Sequence, residues 1–137
     1  MSNKIFLLLL LLIVISSVFY FSWLPDPTFK NETYLPKWLV DWSNNYYNLR
    51  TAVPFVGLGF LLEAYSQQNK SNEINYNKSF GLLKNIAIAA VIVCIAEAGQ
   101  FFIQKRNQDL ADVFYGIIGS STGAVVYNFL RKIRYEK

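Results

Sequence analysis

Residues 97–123 read EAGQFFIQKRNQDLADVFYGIIGSSTG, and ionisable groups here stand at the edge of, and inside, apolar runs. Glu97, Gln100 and Gln104 stand at i, i+3 and i+7, which puts them on one helical face. Asp109, Asp112, Gly116, Gly119 and Gly123 follow at spacings of 3, 4, 3 and 4, again a single face. Glu97, Asp109 and Asp112 are the acid–base candidates, because carboxylates in different environments can divide the two roles. The same carboxylates can accept hydrogen bonds from sugar hydroxyls. They can also hold Mg²⁺ or Ca²⁺, which take oxygen ligands, so a divalent cation is the one cofactor the pattern leaves room for. Arg106 in the intervening turn and Arg50 upstream offer planar donor forks for a phosphate or carboxylate. The ligand-binding set is therefore Arg50, Glu97, Gln100, Arg106, Asp109 and Asp112. Gly116, Gly119 and Gly123 form a groove into which a neighbouring helix can press its backbone, with Gly119-x-x-x-Gly123 as its small-residue motif.

Each of these has a plainer reading. Acidic residues at a helix start are what the helix dipole favours in any protein, and Arg106 paired with either Asp109 or Asp112 would serve the fold alone. Glu97 is different. It lies six residues inside an apolar run, roughly 9 Å deep by helical rise. A charge at the centre of a membrane helix costs about 2.5–3.5 kcal/mol, so an ionisable group there is kept for a reason.

The elements that must position these groups are set by composition. The chain has 137 residues, 53% hydrophobic and only 16% charged, against roughly 25% charged in a soluble domain. Three Trp, nine Tyr and eleven Phe can supply rings at two membrane–water interfaces. Net charge is +4, but Lys and Arg are scattered along the chain, which argues against nucleic acid. The absence of histidine removes the commonest metal ligand and general base, so zinc sites and Ser–His–Asp triads are excluded. The single cysteine, Cys94, cannot form an intrachain disulfide and is read as packing within its apolar run.

Four spans are expected in an all-α membrane bundle forming one domain over residues 1–137, at about 5–24, 49–65, 82–103 and 110–130. The first is uncharged over 20 residues, longer than a signal-peptide core, and is read as a retained span. The second is the weakest: Pro54, Gly57 and Gly59 interrupt it, and Arg50 and Glu63 mark its ends. Trp38, Trp42, Tyr46 and Tyr47 indicate a short interfacial helix before it. The link between the third and fourth spans is too short for anything but an antiparallel hairpin, placing Glu97 level with Gly116. Both termini share a side with Lys4, Lys70, Lys78, Lys84, Arg131, Lys132, Arg134 and Lys137. The other side holds Lys30, Lys37, Arg50, Lys105 and Arg106. The larger basic count puts the termini in the cytoplasm and the opening stretch outside.

Glu97-x-x-Gln100, Arg106-x-x-Asp109-x-x-Asp112-Val113 and Gly119-x-x-x-Gly123 together resemble the VanZ-like family of bacterial membrane proteins, and residues 58–62 resemble that family's earlier span. The chain departs from the family in carrying Gly116 where an Asn is usual and in lacking a His before the second span. The resemblance implies a multi-pass protein of the bacterial plasma membrane associated with the cell envelope. It also implies a link to glycopeptide (teicoplanin) resistance.

Three functions are in view. The favoured one is recognition or processing of an envelope lipid or glycan, such as a lipid-linked saccharide, at the outer leaflet. A second is a non-catalytic subunit of a larger envelope complex, or a homo-oligomer, packed through the glycine face. An ion-coupled transporter component is the third, which four spans without a repeat make the least suitable.

Overall fold

The computed structural model describes residues 2–69 and 77–137. Five α-helices hold most of them: α1 (Asn3–Ser22), α2 (Lys37–Asn45), α3 (Tyr47–Asn69), α4 (Lys78–Gly99) and α5 (Leu110–Glu136). A 3₁₀ turn, Gln100–Phe102, prolongs α4. The described residues contain no strand, so the all-α expectation holds. The helices start where side chains can satisfy their free N–H groups. Ser2 accepts from the Lys4 N–H, Asn77 from Ser79 and Phe80, and Asp109 from Ala111.

Among the described residues, three helices are long and apolar enough to cross a membrane: α1, α4 with its turn, and α5. α3 is long enough but not apolar enough, so three candidate spans are shown where four were expected. The cause lies in what each helix faces. On α1, Leu8, Leu9, Leu12 and Ile13 are exposed, and the helix is apolar all round. On α3, no residue from Phe55 to Gln68 is exposed. A helix wrapped by others need not be greasy on every side, because its polar groups find partners in its neighbours. Glu63, expected at a span end, is instead fully buried inside the bundle.

α3 and α5 run parallel and make the tightest contact. Ala52 meets Gly119, Val56 meets Gly123, and the rings of Phe60 and Tyr127 meet edge-on at 5.2 Å. A Cβ added at Gly119 would collide with the Ala52 carbonyl oxygen, and one at Gly123 with that of Val56. Gly59 of α3 answers from the other side, its hydrogen facing the Ser120 backbone. α4 runs antiparallel to both. Val93 lies against Gly116, and the Asn85 amide reaches Glu63. The glycine face thus serves two neighbours, α3 at Gly119 and Gly123 and α4 at Gly116. The residue level with Gly116 is Val93, one turn below Glu97, which sits nearer the start of α5. Cys94 is exposed rather than packed inside, on the outer face of α4 next to buried Val93.

The expected short helix forms as α2. Its first turn exposes Trp38, while Trp42 and Ser43 turn towards the bundle.

Candidate functional site

The C-terminal ends of α1 and α4 and the N-terminal ends of α3 and α5 gather at one end of the bundle. Between them, and under α2, lies a cavity of about 320 Å³. Arg50, Glu97, Gln100, Arg106 and Asp112 all line it. These residues come from three separate helical segments and a turn, and the fold brings five of the six expected ligand-binding residues to one place.

The loop from α1 to α2 is shaped to hold Arg50. Asp26 folds it by accepting from the Thr28 N–H at 2.9 Å, the Thr28 hydroxyl at 2.6 Å and the Asn31 N–H at 3.3 Å. Those bonds, the Thr28 hydroxyl's first, hold the Asp26 carboxyl below its ordinary pKa. Phe29 then takes a left-handed φ of 56°, uncommon for a side chain of its size. That turn buries its ring beneath the Arg50 guanidinium, 4.9 Å away, in a cation–π contact. Arg50 Nη1 donates to the Pro27 carbonyl at 2.8 Å.

Arg106 fastens the opposite wall. Its Nε donates to the Leu24 carbonyl at 2.7 Å and its Nη2 to that of Phe21 at 2.9 Å, closing the end of α1. Burial, and then the charge of nearby Arg50, pushes the Arg106 guanidinium below its ordinary pKa. Both guanidiniums line the same cavity.

The carboxylates are held by neutral donors. Glu97 Oε1 accepts from Gln100 Nε2 at 3.2 Å, and Oε2 from the Asp109 backbone N–H at 3.3 Å. Gln100 also donates to the Ser22 hydroxyl at 2.9 Å. Asp112 Oδ1 accepts from the Thr51 hydroxyl at 2.8 Å. Among the described residues the sole ion pair within 4 Å is Lys132–Glu136, far along α5. Two guanidiniums and two carboxylates thus share one cavity without direct pairing.

Asp109 stands apart from this group. Its exposed side chain caps α5 and does not line the cavity, while its backbone N–H reaches Glu97. Gln104 is exposed, because the α-helix ends at Gly99 and the stripe ends with it. Among the described residues no three His, Cys, Asp or Glu side chains converge as a metal cage would need. Thr51, Ser22 and Phe29 belong to the site and carry no sequence signal of their own.

A second polar cluster lies at the other end of the bundle. Glu63 is fully buried and accepts from Gln67 Nε2 at 2.7 Å, Asn85 Nδ2 at 2.7 Å and Asn128 Nδ2 at 3.2 Å. Gln67 Nε2 also donates to Asn128 Oδ1 at 2.8 Å. One carboxylate therefore ties α3 to α4 and α5 through three amides.

Neither a curated protein nor a solved structure matches the chain. The family pattern described as VanZ/LLP1 matches it over residues 5–131, nearly its whole length. That match takes in the cavity, both arginines and the glycine seam, and by it the chain belongs to the VanZ/LLP1 family.

Proposed function

We propose that this protein spans the bacterial plasma membrane four times, with both termini cytoplasmic, and that its cavity recognises an envelope lipid or glycan at the outer leaflet. α3 is the fourth span. Its 23 residues reach roughly 34 Å at 1.5 Å per residue, and its polar groups face α4 and α5 rather than lipid. The excess of Lys and Arg at the ends that share the termini supports the orientation. Family membership supports the envelope setting.

The observation that carries this reading is the unpaired charge of the cavity. Buried and half-buried cations and carboxylates that share a cavity without closing ion pairs keep hydrogen-bonding capacity for a ligand with groups of both kinds. In a bundle built only for stability, these positions would be better filled by apolar side chains or closed as ion pairs.

The test is complementation of a deletion strain, scored for envelope phenotypes including teicoplanin susceptibility, with membrane abundance measured in parallel. Glu97→Gln and Asp112→Asn keep the side chains' shape; Asp112→Asn can keep the Thr51 bond, whereas Glu97→Gln gives up one of the two bonds that Glu97 accepts. Both should abolish complementation at unchanged abundance. Full complementation by both variants sinks the site reading. The protein then becomes a non-catalytic subunit, a role to which the exposed Phe101, Phe102 and Leu110 beside the turn give some support as a lateral contact. The size of the natively extracted complex would separate these two accounts.

A further inference from the structure

The choice between lipid and glycan at the cavity can be narrowed by its size, its walls and its opening. This step rests on the site reading above.

Size comes first. At about 320 Å³ the cavity lies at the small end of ligand pockets, which run from roughly 300 to 1,000 Å³. A phosphate with its ester carbons fits this space.

The walls divide by chemistry. Val18, Phe55 and Val93 make an apolar floor, and Leu39, Val40 and Trp42 of the α2 segment make an apolar cover. The polar groups lie between. A sugar site would place hydrogen-bonding groups around most of its surface, whereas here apolar side chains dominate and the charges are few and fixed.

The opening is on the side. Val53 and Pro54 line the cavity, yet both are exposed on the outer face of α3. Pro54 lacks an N–H, so the Arg50 carbonyl one turn earlier has no helical partner at this point. The cavity therefore meets the molecular surface at this edge of α3, a flank that would face lipid in a membrane.

The charges select the head. Arg50 and Arg106 retain donors beyond those given to Pro27, Leu24 and Phe21. Both line the cavity, and two guanidiniums can hold one phosphate between them. Glu97 and Asp112 have acceptor capacity left over from Gln100, Asp109 and Thr51. A phosphate alone would meet those carboxylates unfavourably. One bearing hydroxyl or ammonium donors just beyond it would satisfy both sets.

We infer that the cavity takes the phosphate end of a membrane lipid whose headgroup carries hydroxyl or ammonium donors, entering sideways past Val53. The phosphate sits between Arg50 and Arg106, and the donors meet Glu97 and Asp112.

The experiment uses the purified full-length protein in a non-ionic detergent, with thermal stability and native mass spectrometry as readouts. The probes are short-chain phosphatidylglycerol, short-chain phosphatidylcholine, an alkyl maltoside and free glycerol phosphate. Phosphatidylglycerol should bind and stabilise at least tenfold more strongly than phosphatidylcholine, whose headgroup has no donor. The maltoside and glycerol phosphate should do neither. Arg50→Gln should weaken phosphatidylglycerol binding tenfold or more, and Asp112→Asn should erase the preference over phosphatidylcholine. Val53→Trp, at an exposed position that leaves the core untouched, should block the opening in a folded protein.

Stabilisation by the maltoside equal to that by phosphatidylglycerol would overturn the lipid-phosphate assignment in favour of a sugar. A response to glycerol phosphate as strong as that to the lipid would overturn the lipid part. If Val53→Trp binds as wild type, the sideways route is wrong. If no probe binds while Glu97→Gln and Asp112→Asn still fail in cells, this inference falls and the site reading stands. If both variants complement, the site reading itself falls.

Discussion

Gly57 and Gly59 lie two residues apart on α3, and replacing each with alanine should have opposite effects. A Cβ at Gly57 would meet nothing within 4 Å. Alanine there gains the helix preference over glycine, about 0.5–1 kcal/mol, with no steric cost. A Cβ at Gly59 would collide with the Ser120 carbonyl oxygen and stand 2.6 Å from its carbon and 2.7 Å from its Cα. All three are backbone atoms of α5, so no rotamer change can relieve the clash. The two helices must move apart by roughly 0.5–1 Å, which forfeits a quarter to a half of each atom-pair attraction of about 0.1–0.2 kcal/mol. Over some tens of atom pairs along the α3–α5 seam this amounts to about 2 kcal/mol, in line with the roughly 1–3 kcal/mol of overpacked cores. The helix-propensity gain offsets part of that, leaving Gly59→Ala about 1–2 kcal/mol less stable than the native chain. For a chain of this size the two variants should differ in Tm by roughly 5–10 °C. Tryptophan fluorescence during thermal unfolding in one detergent reads this directly. If Gly59→Ala melts at or above the native temperature, α3 and α5 are not in backbone contact and the seam is misplaced.

Other expectations follow from the same structure. Asn128→Ala removes one donor to Glu63 and the acceptor for Gln67, and should cost about 1–3 kcal/mol, measured as a lowered Tm. In a Cys94→Ala background, a cysteine placed at Asn107 should react with a membrane-impermeant thiol reagent in intact cells, and one at Ser2 should not; the reverse would put the cavity at the inner leaflet. Arg106→Gln should loosen the end of α1 from the turn, seen as faster proteolysis between α1 and α2 with little change in the far half of the bundle.

Legibility in the sequence tracked what each residue faces. α1, α4 and α5 present apolar faces outward, so their hydropathy announces them. α3 faces protein along most of its length, and its Gly59 and Glu63 read as weakness when they are in fact buried contacts. Glu97, Gln100 and Asp112 were visible because helical spacing puts local residues on one face. The Glu63 cluster was not, because its partners Asn85 and Asn128 lie 22 and 65 residues away on other helices. No local period links such positions. Asp109 shows the opposite failure. Its spacing matches the stripe, but the helix begins one residue later, so it became a cap. The Phe29 turn that carries Arg50 depends on an Asp26 bonding pattern that many loops could share.

If α3 is the fourth span proposed above, its concealment also bears on how the chain is made. A helix that carries Glu63 and Gln67, and is interrupted by Pro54, would leave the insertion machinery for bare lipid only at a penalty. The three amides that satisfy Glu63 include two from helices synthesised later, α4 and α5. α3 therefore has no comfortable resting place when it first emerges, and should stay beside the translocon until α5 arrives, a delay that crosslinking of stalled nascent chains would register. Its biogenesis is a matter of waiting for company: the innermost helix of the finished protein is the last to become independent of the machinery that delivers it.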